Sequence, residues 1–304
     1  MVSIITRAFN SSDTIGRAID SVLAQDYSDW ELIIVDDGST DNTRVIVERY
    51  SDQRIRLIRH ETNRGNAAAL NTGLDHARGE WFTLLDDDDE MVVPDALSTF
   101  LRVPVDIDPS IDAVTCNCLD GVTREFTGRG FDHDQYLKWQ TIFQKAEGEH
   151  WGMTKTALVR GDRLNEGIPG MEGLLWYHID KRARRYYIHK ALRIWHTEAA
   201  NRFTDVSLSD DRSYHRAIAI MNEKGYLDDC KAFGGQKYRS LLFTFGMTFV
   251  AHRDRQRAII VWRRLIECRG GVPMALTLLP GIVLGIGFQT TLRNFKHRHF
   301  KLKP

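Results

Sequence analysis

Apolar and polar positions alternate in two different rhythms along the first hundred residues. Val2–Ile5 is a short apolar run. Ile15, Ala18, Ile19, Val22 and Leu23 then recur at the spacing of one buried helical face. Asn10-Ser-Ser-Asp before them offers side-chain oxygens that can cap a helix. Leu32–Val35 predicts a second strand, and Asp36-Asp-Gly-Ser-Thr-Asp breaks it and leads into a helix reaching about Tyr50. A third strand is expected at Arg56–Arg59, a turn at Asn63-Arg-Gly, a helix at 67–77 and a fourth strand at Trp81–Leu85. Strands that alternate with helices of this length predict βαβ units, hence a mostly parallel twisted sheet flanked by helices.

The rhythm is less regular further on. Residues 111–118 alternate as a strand, and 120–165 mix short elements with loop. A helix is expected over Gly173–Arg185, and short strands at 186–188 and 192–195. From about Ser207 the pattern is helical to the end. The expected organisation is one α/β domain over 1–206, in which the pattern changes near residue 100. A helical, basic extension follows over 207–304.

Charge changes this picture mainly at the C-terminus. The chain holds 41 basic and 41 acidic residues, yet from residue 251 onward eleven Lys or Arg face only Asp254 and Glu267. Val272–Leu292 carries no charge, but Pro273, Pro280 and several glycines interrupt it. A hairpin of short helices at a membrane interface fits better than a span, because Arg293, Lys296, Arg298, Lys301 and Lys303 follow without an acid. Helical packing on the catalytic domain or a dimer contact is the alternative. Nucleic acid is not expected as a partner, since the basic residues are interleaved with aliphatics. Four cysteines without zinc spacing and a start lacking a secretory leader predict reduced thiols in a cytoplasmic protein.

The candidate chemistry sits at two strand ends. In parallel sheets ligands bind beyond the carboxyl ends of the strands. Strand 32–35 runs into Asp36-Asp37 and strand 81–85 into Asp86-Asp87-Asp88-Asp89-Glu90. Asp36 could accept from an imide N–H or cap the next helix. The acid run could be a solvated turn or could hold a hard divalent cation such as Mg²⁺ or Mn²⁺.

Five ordered stretches add to this: V-S-I-I-T-R-A-F-N at 2–10, A-I-D-S-V-L-A-Q-D-Y at 18–27, W-E-L-I-I-V-D-D-G-S-T-D-N-T at 30–43, N-R-G-N-A-A-A-L-N-T-G at 63–73 and A-R-G-E-W-F-T-L-L-D-D-D-D at 77–89. Together they resemble the nucleotide-binding half of family-2 glycosyltransferases with the GT-A fold, an inverting type that builds bacterial cell-surface glycans. The resemblance covers most of residues 2–100 and is limited to short motifs near 172–196; it implies a GT-A catalytic domain over 1–206, with a nucleotide-sugar side at 1–100 and an acceptor side at 101–206.

What the resemblance implies can be stated residue by residue. Arg7, Ala8 and Phe9 line the base and ribose, where the family's usual Pro-Thr-Tyr-Asn is here Arg7-Ala8-Phe9-Asn10. Asp36 reads the base, and Gly65 belongs to the donor site. The family's Asp-x-Asp falls on Asp86-Asp87-Asp88. Asp88 would bind the divalent cation and diphosphate, Asp86 the ribose or a metal-bound water, and Asp89 would support them. The family's Glu-Asp-x-x-Leu-Trp is here Met171-Glu172-Gly173-Leu174-Leu175-Trp176, which makes Glu172 the catalytic base. The alternative for Glu172 is a capping residue of the following helix. His196 is a weaker candidate for the ion or diphosphate. Trp151 is a sugar-stacking or a core residue, and His133, Asp134 and His150 show no metal spacing.

The implied reaction moves one sugar from a nucleotide-sugar donor, UDP-sugars favoured, to a hydroxyl of a glycan or lipid-linked acceptor at the cytoplasmic face of the membrane. A Gln-x-x-Arg-Trp stretch, expected of processive synthases, is absent. A sugar nucleotidyltransferase would want a Gly-rich loop after the first strand, which T-R-A-F-N-S-S-D does not supply. A non-catalytic relative that binds nucleotide sugar or scaffolds an assembly is the remaining alternative, suggested by Met171.

Overall fold

A computed structural model describes residues 1–168, 170–196, 210–233 and 235–284. The chain divides into two compact units, Met1–Asn201 and Arg202–Pro304. In the first unit the order is β1 (Val2–Ala8), α1 (Ile15–Leu23), β2 (Trp30–Asp36), α2 (Thr43–Val47), β3 (Ile55–Arg59), α3 (Asn66–His76), β4 (Trp81–Leu84), β5 (Glu90–Met91) and α4 (Ala96–Asp106). It continues with β6 (Ala113–Asp120), β7 (Gln135–Leu137), α5 (Trp139–Lys145), β8 (His150–Lys155), α6 (Glu172–Arg182) and β9 (Arg185–Trp195).

The sheet runs β3-β2-β1-β4-β8-β6-β9-β5, with β7 beside β9. Its first four strands are parallel, as the alternating pattern requires. β8 then enters antiparallel between β4 and β6, so the second half is mixed. β1 lies between β2 and β4, in register Ala8 to Asp36 and Ile5 to Leu84. The two acidic strand ends therefore flank the end of β1. The apolar face of α1 and the strands close one core around Ile4, Ile15, Ile19, Leu32, Ile34 and Phe100. Trp151 belongs to that core: its indole donates to the Leu84 carbonyl at 2.6 Å, and its ring meets Phe100 edge-on.

Three boundaries differ from the sequence expectation. α2 stops at Val47, three residues short of Tyr50. The segments at 186–188 and 192–195 form one strand, because exposed His189 and Lys190 interrupt the apolar pattern without breaking the ladder. Residues 172–182 begin their helix at Glu172 itself.

The second unit is helical: α7 (Asp211–Asn222), α8 (Tyr226–Phe233), α9 (Gly235–Ala251), α10 (Arg255–Glu267) and α11 (Val272–Leu284). Where a hairpin of short helices is expected after 272, the described part is one helix with Pro280 inside it. Residues 285–292 and the basic positions 293–303 lie outside the described residues, as do 197–206 at the expected domain boundary. Among the described residues no helix is long and apolar enough to cross a membrane. The four cysteines are unpaired, and burial pushes their thiols upward.

Two stability predictions follow from packing and capping. A methyl group at Gly73 of α3 would meet Ile5 Cγ2 of β1 at 2.3 Å. Ile5 is buried and β-branched, so it yields little, and overpacking of about 1–3 kcal/mol outweighs a helix-propensity gain of about 1 kcal/mol. Gly73→Ala should lower the urea midpoint. In α10, Asp254 caps the Arg257 N–H at 3.0 Å, accepts from Tyr214 Oη at 2.9 Å and pairs with Arg257. Burial pushes its carboxyl up, but these bonds together hold it below the usual range. Its contribution is therefore complete above the unfolded value of about 4 and is lost as pH falls through the lower folded value. Asp254→Ala should cost about 1–2 kcal/mol at neutral pH and progressively less in acid, read from denaturation midpoints across pH.

Candidate active site

The site is built where β1, β2 and β4 end side by side. At the end of β2, Asp36 is fully buried. Its Oδ1 accepts the Ser39 N–H at 2.8 Å, while Oδ2 lies 3.4 Å from Arg59 Nε and makes no hydrogen bond. Gly38 turns the chain at φ +75°, and a Cβ there would strike the Thr62 backbone at 2.6 Å. Asp37, which sequence reasoning passed over, suspends the next loop. Its oxygens accept the N–H groups of Arg64 at 2.9 Å and Gly65 at 2.7 Å, and it pairs with His60 Nδ1 at 2.6 Å. His60 is fixed in turn by Thr72 at 2.9 Å. Gly65, at φ +90°, opens α3, and its carbonyl accepts the Ala69 N–H.

At the end of β1, Arg7 reaches in two directions. Its Nη2 donates to Asp86 Oδ1 at 2.8 Å, and Nη1 lies 3.7 Å from Glu172 Oε1. Asn66 Nδ2 stands 3.5 Å from the same Glu172 oxygen. One guanidinium thus joins the acid run to the first residue of α6. A carboxylate in the first turn of a helix is favoured by the exposed backbone N–H groups there. Ala8 is buried, and its carbonyl accepts the Asp37 N–H at 2.8 Å. Phe9 leaves a partly exposed ring, and its N–H lies 3.4 Å from Asp87 Oδ2.

Asp86 has a second cation. Arg193 of β9, 5% exposed, stands 3.5 Å from Asp86 Oδ2 and 3.3 Å from both Asp89 Oδ2 and Glu149 Oε2. Burial raises the Asp86 carboxyl, but Arg7 and Arg193 outweigh it and hold the group below its ordinary value. Its neighbours go the other way. Burial, reinforced by Asp88 and Asp86, pushes Asp87 up to about 6. Burial and the Asp86 charge raise Asp88, whose backbone carbonyl accepts from Arg17. Asp89 is fully buried and pushed up to about 8 by desolvation, although Arg193 opposes it. Desolvation also raises Glu149. On Arg193 burial favours loss of the proton, but the surrounding anionic groups keep its value high. The signal for Arg193 in the sequence is a lone cation within Leu192-Arg193-Ile194-Trp195, since a buried charge needs a partner.

The arrangement brings Arg7, Asp86, Asp87 and Glu172 together, and ties Gly65 to the end of β2 through Asp37. His196 joins differently. Its backbone N–H donates to Asp89 Oδ1 at 2.9 Å, and its ring Nε2 lies 3.0 Å from Glu90. His133 pairs with Asp132, Asp134 accepts the His189 N–H, and His150 is lowered by burial, so these three share no site. Among the described residues no three His, Cys, Asp or Glu side chains converge as a metal cage. Mg²⁺-type sites commonly use one or two carboxylates and complete their shell with water and phosphate oxygens. Asp88 offers hard oxygen donors of that kind, with its carboxyl held above the ordinary value by burial and by Asp86.

The comparisons with known proteins agree with this frame. The profile described as "Glycosyl transferase family 2" matches residues 3–153. A GalNAc(5)-diNAcBac-PP-undecaprenol beta-1,3-glucosyltransferase of Campylobacter jejuni is 35% identical over 202 residues, 64% of each chain. A UDP-Glc:alpha-D-GlcNAc-diphosphoundecaprenol beta-1,3-glucosyltransferase of Escherichia coli is 47% identical over 89 residues, 29% of this chain and 35% of its own. The chain therefore spans less than two thirds of the length of these relatives. The structure of S. aureus TarS 1-349 in complex with UDP-GlcNAc superposes with a TM-score of 0.63 at 19% identity, covering 86% of this chain and 89% of that one, which establishes the shared fold. The ordered motifs, the family match and the fold make this chain a member of glycosyl transferase family 2 with a GT-A catalytic sheet.

Proposed function

We propose that the protein is an inverting, metal-dependent glycosyltransferase that moves a single sugar from a nucleotide-sugar donor to a hydroxyl of a lipid-linked saccharide. The observation that carries this reading is the placement of Arg7 between Asp86 and Glu172. A donor-side acid and a candidate base are thereby held on opposite sides of one guanidinium. The names of the two curated relatives support a glucosyl-type donor, UDP-linked in one, and an undecaprenyl-diphosphate-linked acceptor.

In this reading Asp36 Oδ2, a buried acceptor with no donor, takes the imide N–H of uracil. Arg59 lies 3.4 Å from that oxygen without hydrogen-bonding it, and a buried acceptor left without a hydrogen bond costs about 1–3 kcal/mol, part of which a base N–H would recover. The backbone at Ala8 and the ring of Phe9 line the base and ribose, and Gly65 keeps the α3 entrance free of a side chain. Asp88 would bind the divalent cation directly. Asp86, its oxygens already turned to Arg7 and Arg193, would reach the ribose or a metal-bound water. When bound, the cation would neutralise charge on the leaving diphosphate. Asp87 holds the Phe9 backbone, and His196 supports Asp89 through its N–H.

Glu172 removes the proton from the acceptor hydroxyl as that oxygen attacks the anomeric carbon. The new oxygen–carbon bond forms on the face opposite the breaking bond to the nucleoside diphosphate, so the configuration inverts. Arg7 Nη1, 3.7 Å from Glu172 Oε1, holds that carboxylate in place before attack. The reaction is assigned to the cytoplasmic side of the membrane, where nucleotide sugars are the donors.

Metal-dependent hydrolysis and transfer, measured over a panel of nucleotide sugars, test the reading. A UDP-sugar is expected to be consumed with Mn²⁺ or Mg²⁺ and spared with chelator. Calorimetry that finds no nucleotide sugar bound would sink the proposal. Asp88→Ala should abolish cation-dependent donor binding. Glu172→Gln should keep the donor affinity and lose transfer by about 10²–10⁴-fold, the range of a general base. Donor binding without transfer in the unmodified chain would instead point to the non-catalytic relative.

A further inference from the structure

In the second unit α11 presents a problem of solvation. The helix carries no charged residue. Ala275, Leu278 and Ile282 are buried, and α11 packs on α9 and α10. The approach to α9 is close: a Cβ on Gly246 would meet Leu278 Cδ1 at 2.4 Å. That face is fully committed. Yet Val272, Leu276, Leu279 and Val283, spaced i, i+4, i+7, i+11, form a second apolar stripe that is 37–59% exposed. A helix apolar on both faces is normally covered on both.

Charge indicates what covers the second face. Arg253, Arg255, Arg263 and Arg269 are exposed in the same unit. The two acids of residues 251–304 are already matched, Asp254 by Arg257 and Glu267 by Lys231. From Cys268 to the end the sequence has six basic residues and no acid. A second copy docked on this stripe would bring like charges together, which is unfavourable. An anionic lipid surface supplies the opposite charge and an apolar layer of the right depth.

We infer that the Val272–Val283 face of α11 is a monotopic membrane-docking surface for anionic phospholipid, inserting its apolar stripe while the arginines meet headgroups. This deepens the reading of a lipid-linked acceptor, but the docking itself requires no catalysis.

The test is flotation of the full chain with vesicles, in the absence of any nucleotide sugar. Wild type should float with phosphatidylglycerol-containing vesicles and at least about tenfold less with pure phosphatidylcholine. The double variant Leu276→Glu/Leu279→Glu, at exposed positions, should lose about tenfold or more of the binding while keeping its circular dichroism and donor hydrolysis. Leu276→Trp should gain quenching by brominated phosphatidylglycerol over wild type. Wild type that does not float, or a double variant that floats as wild type does, overturns the inference. So does sedimentation velocity showing a wild-type dimer that the double variant dissolves. Failure of donor binding with flotation intact would remove the transferase reading and leave this one standing.

Discussion

Asp86 is held between two guanidinium groups, and the rest of the site depends on that arrangement. Five consecutive acids at a strand end repel one another, and burial makes each charge more costly. An ion of this kind taken from water costs several kcal/mol unless it is paired. Arg7 from β1 and Arg193 from β9 supply the pairing, and together they keep Asp86 ionised. With that charge settled, Asp87, Asp88 and Asp89 are left with raised proton affinities, chiefly through burial. The acid run is thus an unequal set: Asp86 has two guanidinium partners, Asp89 shares one of them, and Asp87 and Asp88 have no guanidinium ion pair among the described residues.

The same two arginines also connect distant parts of the chain. Arg193 reaches Glu149 just before β8 and Asp89 between β4 and β5, so three separate segments of the chain meet on one buried cation. Arg7 carries the connection to Glu172. On the other side of β1, Asp37 fastens the Arg64-Gly65 turn by accepting two backbone N–H groups. The proposed base-reading oxygen of Asp36 and the proposed proton acceptor Glu172 are therefore positioned by neighbours of opposite design: a carboxylate gripping backbone, and a guanidinium bridging carboxylates. The second unit obeys a different constraint. Its helices satisfy their inner faces with one another, and α11 retains an apolar outer face that helix packing alone does not explain.

Much of this was legible in the sequence because it is local. Helical spacing at Ile15–Leu23 and the apolar runs at 2–5, 32–35 and 81–85 report burial directly. A short run between turn signals has few alternatives to a buried strand. The acidic strand ends were legible too, since Asp-Asp after an apolar strand is conspicuous. Less readable was the long β9, where exposed His189 and Lys190 hide a continuous ladder. Backbone hydrogen bonds do not depend on side-chain polarity, so pattern alone divides such a strand.

The sequence by itself determined the alternating strands and helices, the acids at two strand ends, the family to which those motifs belong and the charge of the C-terminal segment. Each follows from residue types at short spacing. The tertiary structure alone decided that β1 separates the two acidic ends, that Arg7 joins Asp86 to Glu172 across 165 positions of chain, and that Arg193 lies buried among acids more than forty and a hundred residues away. Charges so distant in sequence interact only once the sheet has excluded water between them, because Coulomb attraction over a few ångströms gains its strength from a low-dielectric surrounding.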